Sequence, residues 1–162
     1  MALSRTHDLI NLTALPLFVY VLPKEATVPF TVGYIVGTFL LSPDLDLPGS
    51  RPSRRWSVLR WVWIPYWAFS RHRGISHMPV IGTLIRIAYV VFAVIFLYFS
   101  LIGVVSLIDR GLGHLLAGWN PFDTLERVFR SREAVYFVGG VLCADVVHIV
   151  LDSLWSLLRR IT

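Results

Sequence analysis

The chain has one cysteine, Cys143, one lysine, Lys24, and little charge of either sign. A single thiol excludes an intramolecular disulfide, and its place inside an apolar run makes it a small core or lipid-facing residue. Charged residues make up 15% of the chain, against about 25% in soluble domains. Apolar residues reach 56%, against roughly 45–50%. That imbalance points towards lipid. The net charge of +5 comes almost entirely from arginine. A nucleic-acid binder presents a polar, solvated basic face. Here the arginines sit beside tryptophans and at the ends of apolar runs, which suits lipid headgroups better, so no nucleic-acid partner is expected.

What the chain does have is apolar runs, and at 162 residues it is long enough for one domain. Leu9 to Pro23 carries no charge. His7 and Asp8 interrupt its start and no small-x-small site closes it, so it reads as a retained span and not a cleaved leader. Pro16 falls inside it as an expected kink. A second span begins near Val28, with Gly33 and Gly37 four residues apart, the spacing of a flat strip for close helix packing. Ile87 to Ile108 is free of charge, with Arg86 placed to snorkel to the interface. Ala134 to Leu158 is long enough for a last span. Between the second and third spans, Arg51, Arg54, Arg55 and Arg60 interleave with Trp56, Trp61, Trp63 and Trp67, a composition for the headgroup layer that Pro65 would break or bend. The expected fold is therefore all-α. It is a polytopic helical membrane protein with about four transmembrane helices (about 6–22, 28–43, 79–108 and 134–158) and an interfacial amphipathic helix over 55–71. All of it forms one domain, 1–162.

Arginine counts set the orientation. One face collects Arg5, Arg51, Arg54, Arg55, Arg60, Arg71, Arg73, Arg159 and Arg160; the other collects Lys24, Arg110, Arg127, Arg130 and Arg132. The excess of positive charge puts both termini in the cytoplasm, with the chain integral to the membrane. In that topology the same face gathers His7, Asp8, Asp44, Asp46, His72, His77, His148 and Asp152, eight of the twelve aspartates and histidines. Carboxylates with imidazoles are donors for a divalent metal. His148 and Asp152 are four apart, so one helical face carries both. Asp145 can orient His148 from nearby. Asp44 and Asp46 follow Pro43, which disfavours helix; in an extended chain both would point the same way. His72 and His77 flank Gly74, whose turn can re-aim one ring, and Arg71 and Arg73 beside them can hold a phosphate. His7 and Asp8 are adjacent, so one serves as ligand and the other as cap or outer support. His114 falls on the far side.

Together Thr6-His7-Asp8, Ser42-Pro43-Asp44-Leu45-Asp46, Arg55-Trp56, Trp63-Ile64-Pro65-Tyr66, His72-Arg73-Gly74-Ile75-Ser76-His77 and His148-x3-Asp152 resemble a bacterial family of metal-binding membrane proteins. That family is similar to the LexA-regulated, membrane-bound metal-dependent hydrolases, and more distantly to the zinc-dependent phospholipase C and P1-type nuclease group. The resemblance covers most of residues 5–82 and a short piece near 148. It implies a divalent-metal site, zinc first and manganese or iron next, with one to three ions. The eight residues named above would be its ligands. Asp44, Arg71 and Arg73 are the candidate catalytic residues, the arginines to stabilise phosphate charge. The expected function is a phosphoesterase acting on a lipid phosphate or phosphodiester at the cytoplasmic interface, with the bilayer as its partner. The alternatives are metal binding or transport without hydrolysis, and a structural membrane protein whose polar residues are interfacial.

Overall fold

A computed structural model describes residues 4–70 and 78–161, and every element among them is helical. Helices α1 (Ser4–Val21) and α2 (Lys24–Phe39) lead into a 3-10 turn, Pro43–Asp46. Then come α3 (Arg51–Arg55), a 3-10 stretch Ser57–Trp63, and α4 (Ile64–Phe69). The long α5 (Ile81–Ile108) is followed by α6 (Arg110–Ala117), α7 (Pro121–Phe129) and α8 (Arg132–Ile161). Among the described residues two helices are long and apolar enough to cross a bilayer, α5 and the Arg132–Arg159 part of α8. A soluble core helix passes the same test only by being buried. Just 6% of the most apolar window of α5 is buried, and Phe92, Phe96, Leu101 and Leu107 face outwards. Helices α1 and α2 are shorter, at 18 and 16 residues.

The bundle is built on the contact between α2 and α8. Gly33 lies on the backbone of Phe137, and a methyl group at Gly37 would come 3.0 Å from the Cα of Val141. In return, Gly140 lies on the backbone of Phe30 and Tyr34. These pairings make α2 and α8 parallel. The strip expected of Gly33 and Gly37 is therefore real, and Gly140 supplies its counterpart on the facing helix. Helix α1 runs the opposite way and packs Phe18 against Phe30 and Tyr34, ring centroids 6.1 and 5.6 Å apart.

The basic–aromatic segment is not one amphipathic helix on the surface. It breaks into the Ser57–Trp63 stretch and α4, with Pro65 in the first turn of α4. Trp63 and Tyr66 are buried and pack edge to face, centroids 5.3 Å apart, in a core with Leu41, Leu45 and Val141. The segment also finishes α2. The last carbonyls of a helix lack partners within it. Arg55 Nη1 donates to Phe39 O at 3.2 Å and Trp56 Nε1 to Leu40 O at 3.0 Å, a cation and an indole satisfying that end. Trp67 Nε1 donates to Leu45 O at 2.9 Å, tying α4 to the 3-10 turn. At the far end of α5, Asp109 caps α6 by accepting from Gly111 N and Leu112 N, and Gly113 packs on Ser106 as α6 folds back along α5.

A helical glycine costs about 1 kcal/mol relative to alanine, so a substitution with space around it should stabilise. Gly139 has nothing within 4 Å of an added Cβ, whereas Gly33 and Gly140 meet backbone. Gly139→Ala should leave the unfolding temperature in detergent unchanged or raise it. Gly33→Ala and Gly140→Ala should each destabilise by about 1–3 kcal/mol through overpacking. Equal tolerance at all three positions would mean that the helices do not touch as described.

Candidate metal centre

The 3-10 turn, the start of α1 and the middle of α8 meet at one end of this bundle. His7 and His148 are both buried, and their rings stack with centroids 4.2 Å apart and planes 23° from parallel. Asp152, one turn beyond His148, divides its carboxylate between them. Oδ1 lies 3.4 Å from His7 Nε2 and Oδ2 lies 3.7 Å from His148 Nε2. Asp44 Oδ1 approaches the same nitrogen of His148 at 3.6 Å. His7, His148 and Asp152 each offer a donor atom, all within 4.8 Å of one another.

These spacings suit a shared cation better than direct hydrogen bonds. An N–H···O bond closes to about 2.7–3.2 Å. Donors held about 2.0–2.2 Å from one tetrahedral zinc stand roughly 3.3–3.5 Å apart. His7 Nδ1, the other ring nitrogen, is buried without a hydrogen-bond partner among the described residues. Two imidazoles and a carboxylate are a donor set for zinc, and also for manganese or iron. The residues present fit a divalent metal.

The other candidates lie as follows. Asp8 is turned to the arginines: Arg55 Nη2 is 2.6 Å and Arg51 Nη1 3.7 Å from its Oδ2. Its carboxylate braces α1 against α3 beside the cluster. Asp46 is buried at the end of the 3-10 turn. The extended geometry expected for Asp44 and Asp46 does not form. Pro43 takes the first position of a 3-10 turn, where its missing N–H is no loss. At three residues per turn, positions i and i+2 diverge by about 120° and do not share a side. Asp44 Oδ1 lies 3.6 Å from His148 Nε2. His72, His77, Arg71 and Arg73 lie outside the described residues. His114 is on α6, at the far end of α5, away from the cluster.

Residues 2–162 match the family described as "Uncharacterized metal-binding protein (DUF2227)". The chain belongs to this family. It is also 44% identical over 138 residues to an "Uncharacterized protein" of Aquifex aeolicus (strain VF5), a match spanning 85% of this chain and 97% of that one. No solved structure matches. The DUF2227 description carries metal binding and is silent on hydrolysis.

Behind the cluster of this DUF2227 protein lies a polar group that the sequence reading placed differently. Arg86 does not snorkel. It is 1% exposed and forms an ion pair with Asp145, which is 2% exposed and also accepts from the Thr83 hydroxyl. The sequence signal was an arginine near the start of an apolar span, at the level where an antiparallel α8 brings Asp145. Without the helix pairing, a snorkelling arginine and a buried one look alike. Asn11 was missed as well. It lies one turn after His7, buried, with Oδ1 3.5 Å from the Tyr34 hydroxyl.

Removing one partner of a buried ion pair leaves an uncompensated charge, a loss of about 3–5 kcal/mol. Arg86→Met should therefore destabilise strongly, and adding Asp145→Leu should restore most of the loss. A double-mutant cycle on unfolding in detergent measures this; purely additive effects would mean that the two side chains do not interact.

Proposed function

We propose that this protein is an integral membrane, metal-dependent phosphoester hydrolase. On this reading it sits in the bacterial inner membrane with both termini cytoplasmic and cleaves a lipid phosphate or phosphodiester at that interface. One observation carries the metal part: the buried, stacked His7–His148 pair with Asp152 completing three donor atoms within 4.8 Å. The family description supports metal binding and nothing finer. The membrane part is supported by α5 and α8, whose length and outward apolar side chains suit a bilayer. We take α1 and α2 as the remaining two spans.

His7, His148, Asp152 and Asp44 would hold a first ion, zinc by preference. Asp46, His72 and His77 are our ligands for any further ion. When bound, the metal supplies Lewis acidity towards a phosphoryl oxygen and lowers the pKa of its water. The chain's own residues do the rest. Asp44, with its side chain 18% exposed beside His148, is our acceptor for the proton of the attacking water. Arg71 and Arg73 are assigned to the charge growing on the phosphate. The water oxygen bonds to phosphorus, the P–O ester bond breaks, and the lipid alcohol departs with a proton. A second reading, metal binding or transport without hydrolysis, uses the same ligands and rests on the family description.

Metal content of the detergent-purified protein is the first test. Wild type should carry about one or two equivalents of transition metal, and His148→Ala and Asp152→Ala should lose it. Asp44→Asn should then release phosphate from phosphatidate at least about 100-fold more slowly than wild type. Wild type that retains no metal after zinc, manganese and iron are offered would sink both metal readings. Bound metal without phosphate release from any lipid ester would leave the second.

A further inference from the structure

A groove of about 630 Å³ opens between α2, α5, α7 and α8, on a different side of α2 from its contact with α1. Its walls are almost wholly apolar, with Val32, Val36, Leu41, Ile87, Val90 and Phe137 among them. Along α2 and its exit the lining runs from Pro29 to Leu41, about 18 Å at 1.5 Å per residue. One leaflet of a bilayer has a hydrocarbon depth of roughly 15 Å, half of about 30 Å. Trp56 forms part of one end, where its indole N–H is already given to Leu40 O. The residues just before it, Arg51, Arg54 and Arg55, surround a second, open cavity of about 540 Å³. Arg51 and Arg55 share the single carboxylate of Asp8. Arg54 is exposed and has no ion-pair partner among the described residues. Three guanidinium groups against one carboxylate leave an excess of positive charge at one end of an apolar channel.

We propose that this groove and the Arg51–Arg54–Arg55 cluster together bind one anionic phospholipid, with an acyl chain along α2 and the phosphate on the arginines. The proposal rests on the membrane setting and phosphate-ester substrate argued above, and it adds the place where such a molecule is held. Length matches one leaflet's chain. The arginines lie at one end only, with Glu133 the one charged residue in the lining itself, which suits a lipid better than an amphipathic helix with a polar side along its whole length. An extended peptide is a poor occupant, because the walls offer almost nothing to its N–H and C=O groups. Guanidinium groups bind phosphate in a planar, bidentate manner, which an ammonium does not. The cluster also borders the metal centre: Asp8, which holds two of the arginines, is the neighbour of His7 in sequence. A phosphate on Arg55 would thus lie near Asp8, the residue that follows His7 on α1.

The test is lipid retention by the full-length protein in detergent, followed by native mass spectrometry with dioleoyl phosphatidate or dioleoyl phosphatidylcholine as probe. Wild type should retain one phosphatidate, with a preference of about tenfold or more over phosphatidylcholine. Val32→Trp fills the groove from a position that is 48% exposed, so it does not overpack the core. It should cut phosphatidate retention about tenfold while the metal content stays at the wild-type level. Arg54→Glu should abolish the preference for phosphatidate and leave phosphatidylcholine retention as it was. Equal retention in wild type and Val32→Trp overturns the proposal, as does wild type without preference between the lipids. A wild-type dimer that Val32→Trp dissociates would overturn it too, assigning the groove to a second copy. Because the readout is binding, absence of metal or of turnover would fail the hydrolase reading alone.

Discussion

Everything at the candidate metal centre depends on the backbone contact between α2 and α8. Gly37 faces Val141, and Asp44 and His148 each lie seven residues further along their own chain. Two parallel segments leaving a common contact point reach the same depth together, so the turn after α2 arrives where α8 presents His148. A slip of one helical turn would displace the carboxylate by about 5.4 Å, more than the 3.6 Å that separates Asp44 from His148. Only glycines allow that register to be held so tightly, since any side chain at Gly33 or Gly140 meets backbone across the interface. The α2–α8 packing thus sets the geometry of the candidate metal centre some 10 Å away, by rigid helix and short turn.

A second constraint is polar. Three elements, α1, the 3-10 turn and α8, bring ionisable groups to one end of the bundle. Each group has an answer in the fold. Asp8 is neutralised by Arg55 and Arg51. Asp145 is neutralised by Arg86 and also accepts from Thr83, which draws the start of α5 onto α8. Beside these two pairs, His7, His148, Asp152 and Asp44 converge. Replacing a buried pair such as Arg86–Asp145 by hydrophobic side chains is often neutral for stability. Its service here is one of register, since it fixes α5 against α8 one turn before His148.

How much of this was legible in the sequence follows from the range of each interaction. The pair His148 and Asp152 was readable because a helix alone puts i and i+4 on one side. The glycine strip of α2 was readable for the same reason. Asp44 was readable as a candidate but not its geometry: Pro43 excludes α-helix without choosing between an extended chain and a 3-10 turn. Arg86 and Asp8 were assigned by local rules, as a snorkelling anchor and as a ligand or cap. Their partners, Asp145 and Arg55, are 59 and 47 residues away and become visible only once the helices are paired. The tryptophan-rich segment was legible only in part: Trp61 is exposed, but the segment is not one helix. Its composition speaks of an interface, but Trp63 and Tyr66 are spent on the core and Trp56 and Trp67 on backbone carbonyls. Composition reports what a side chain tolerates, not which neighbour reaches it first.

The donors of the centre come from three elements that are distant in sequence, at His7, Asp44 and His148 with Asp152. No local segment holds such a site before the bundle forms, so the free energy of binding a metal there is also free energy of folding. The consequence falls most on α1. Helix α2 is locked to α8 by glycine contacts, and α5 by the Arg86–Asp145 pair. Helix α1 is held by the Phe18 contacts at one end, by Asn11 and Tyr34 midway, and at the other end by His7 and Asp8. Stacked against His148 and sharing Asp152 with it, His7 makes the start of α1 part of the candidate metal site. A metal held by these groups therefore acts as the clasp that joins the first helix to the last.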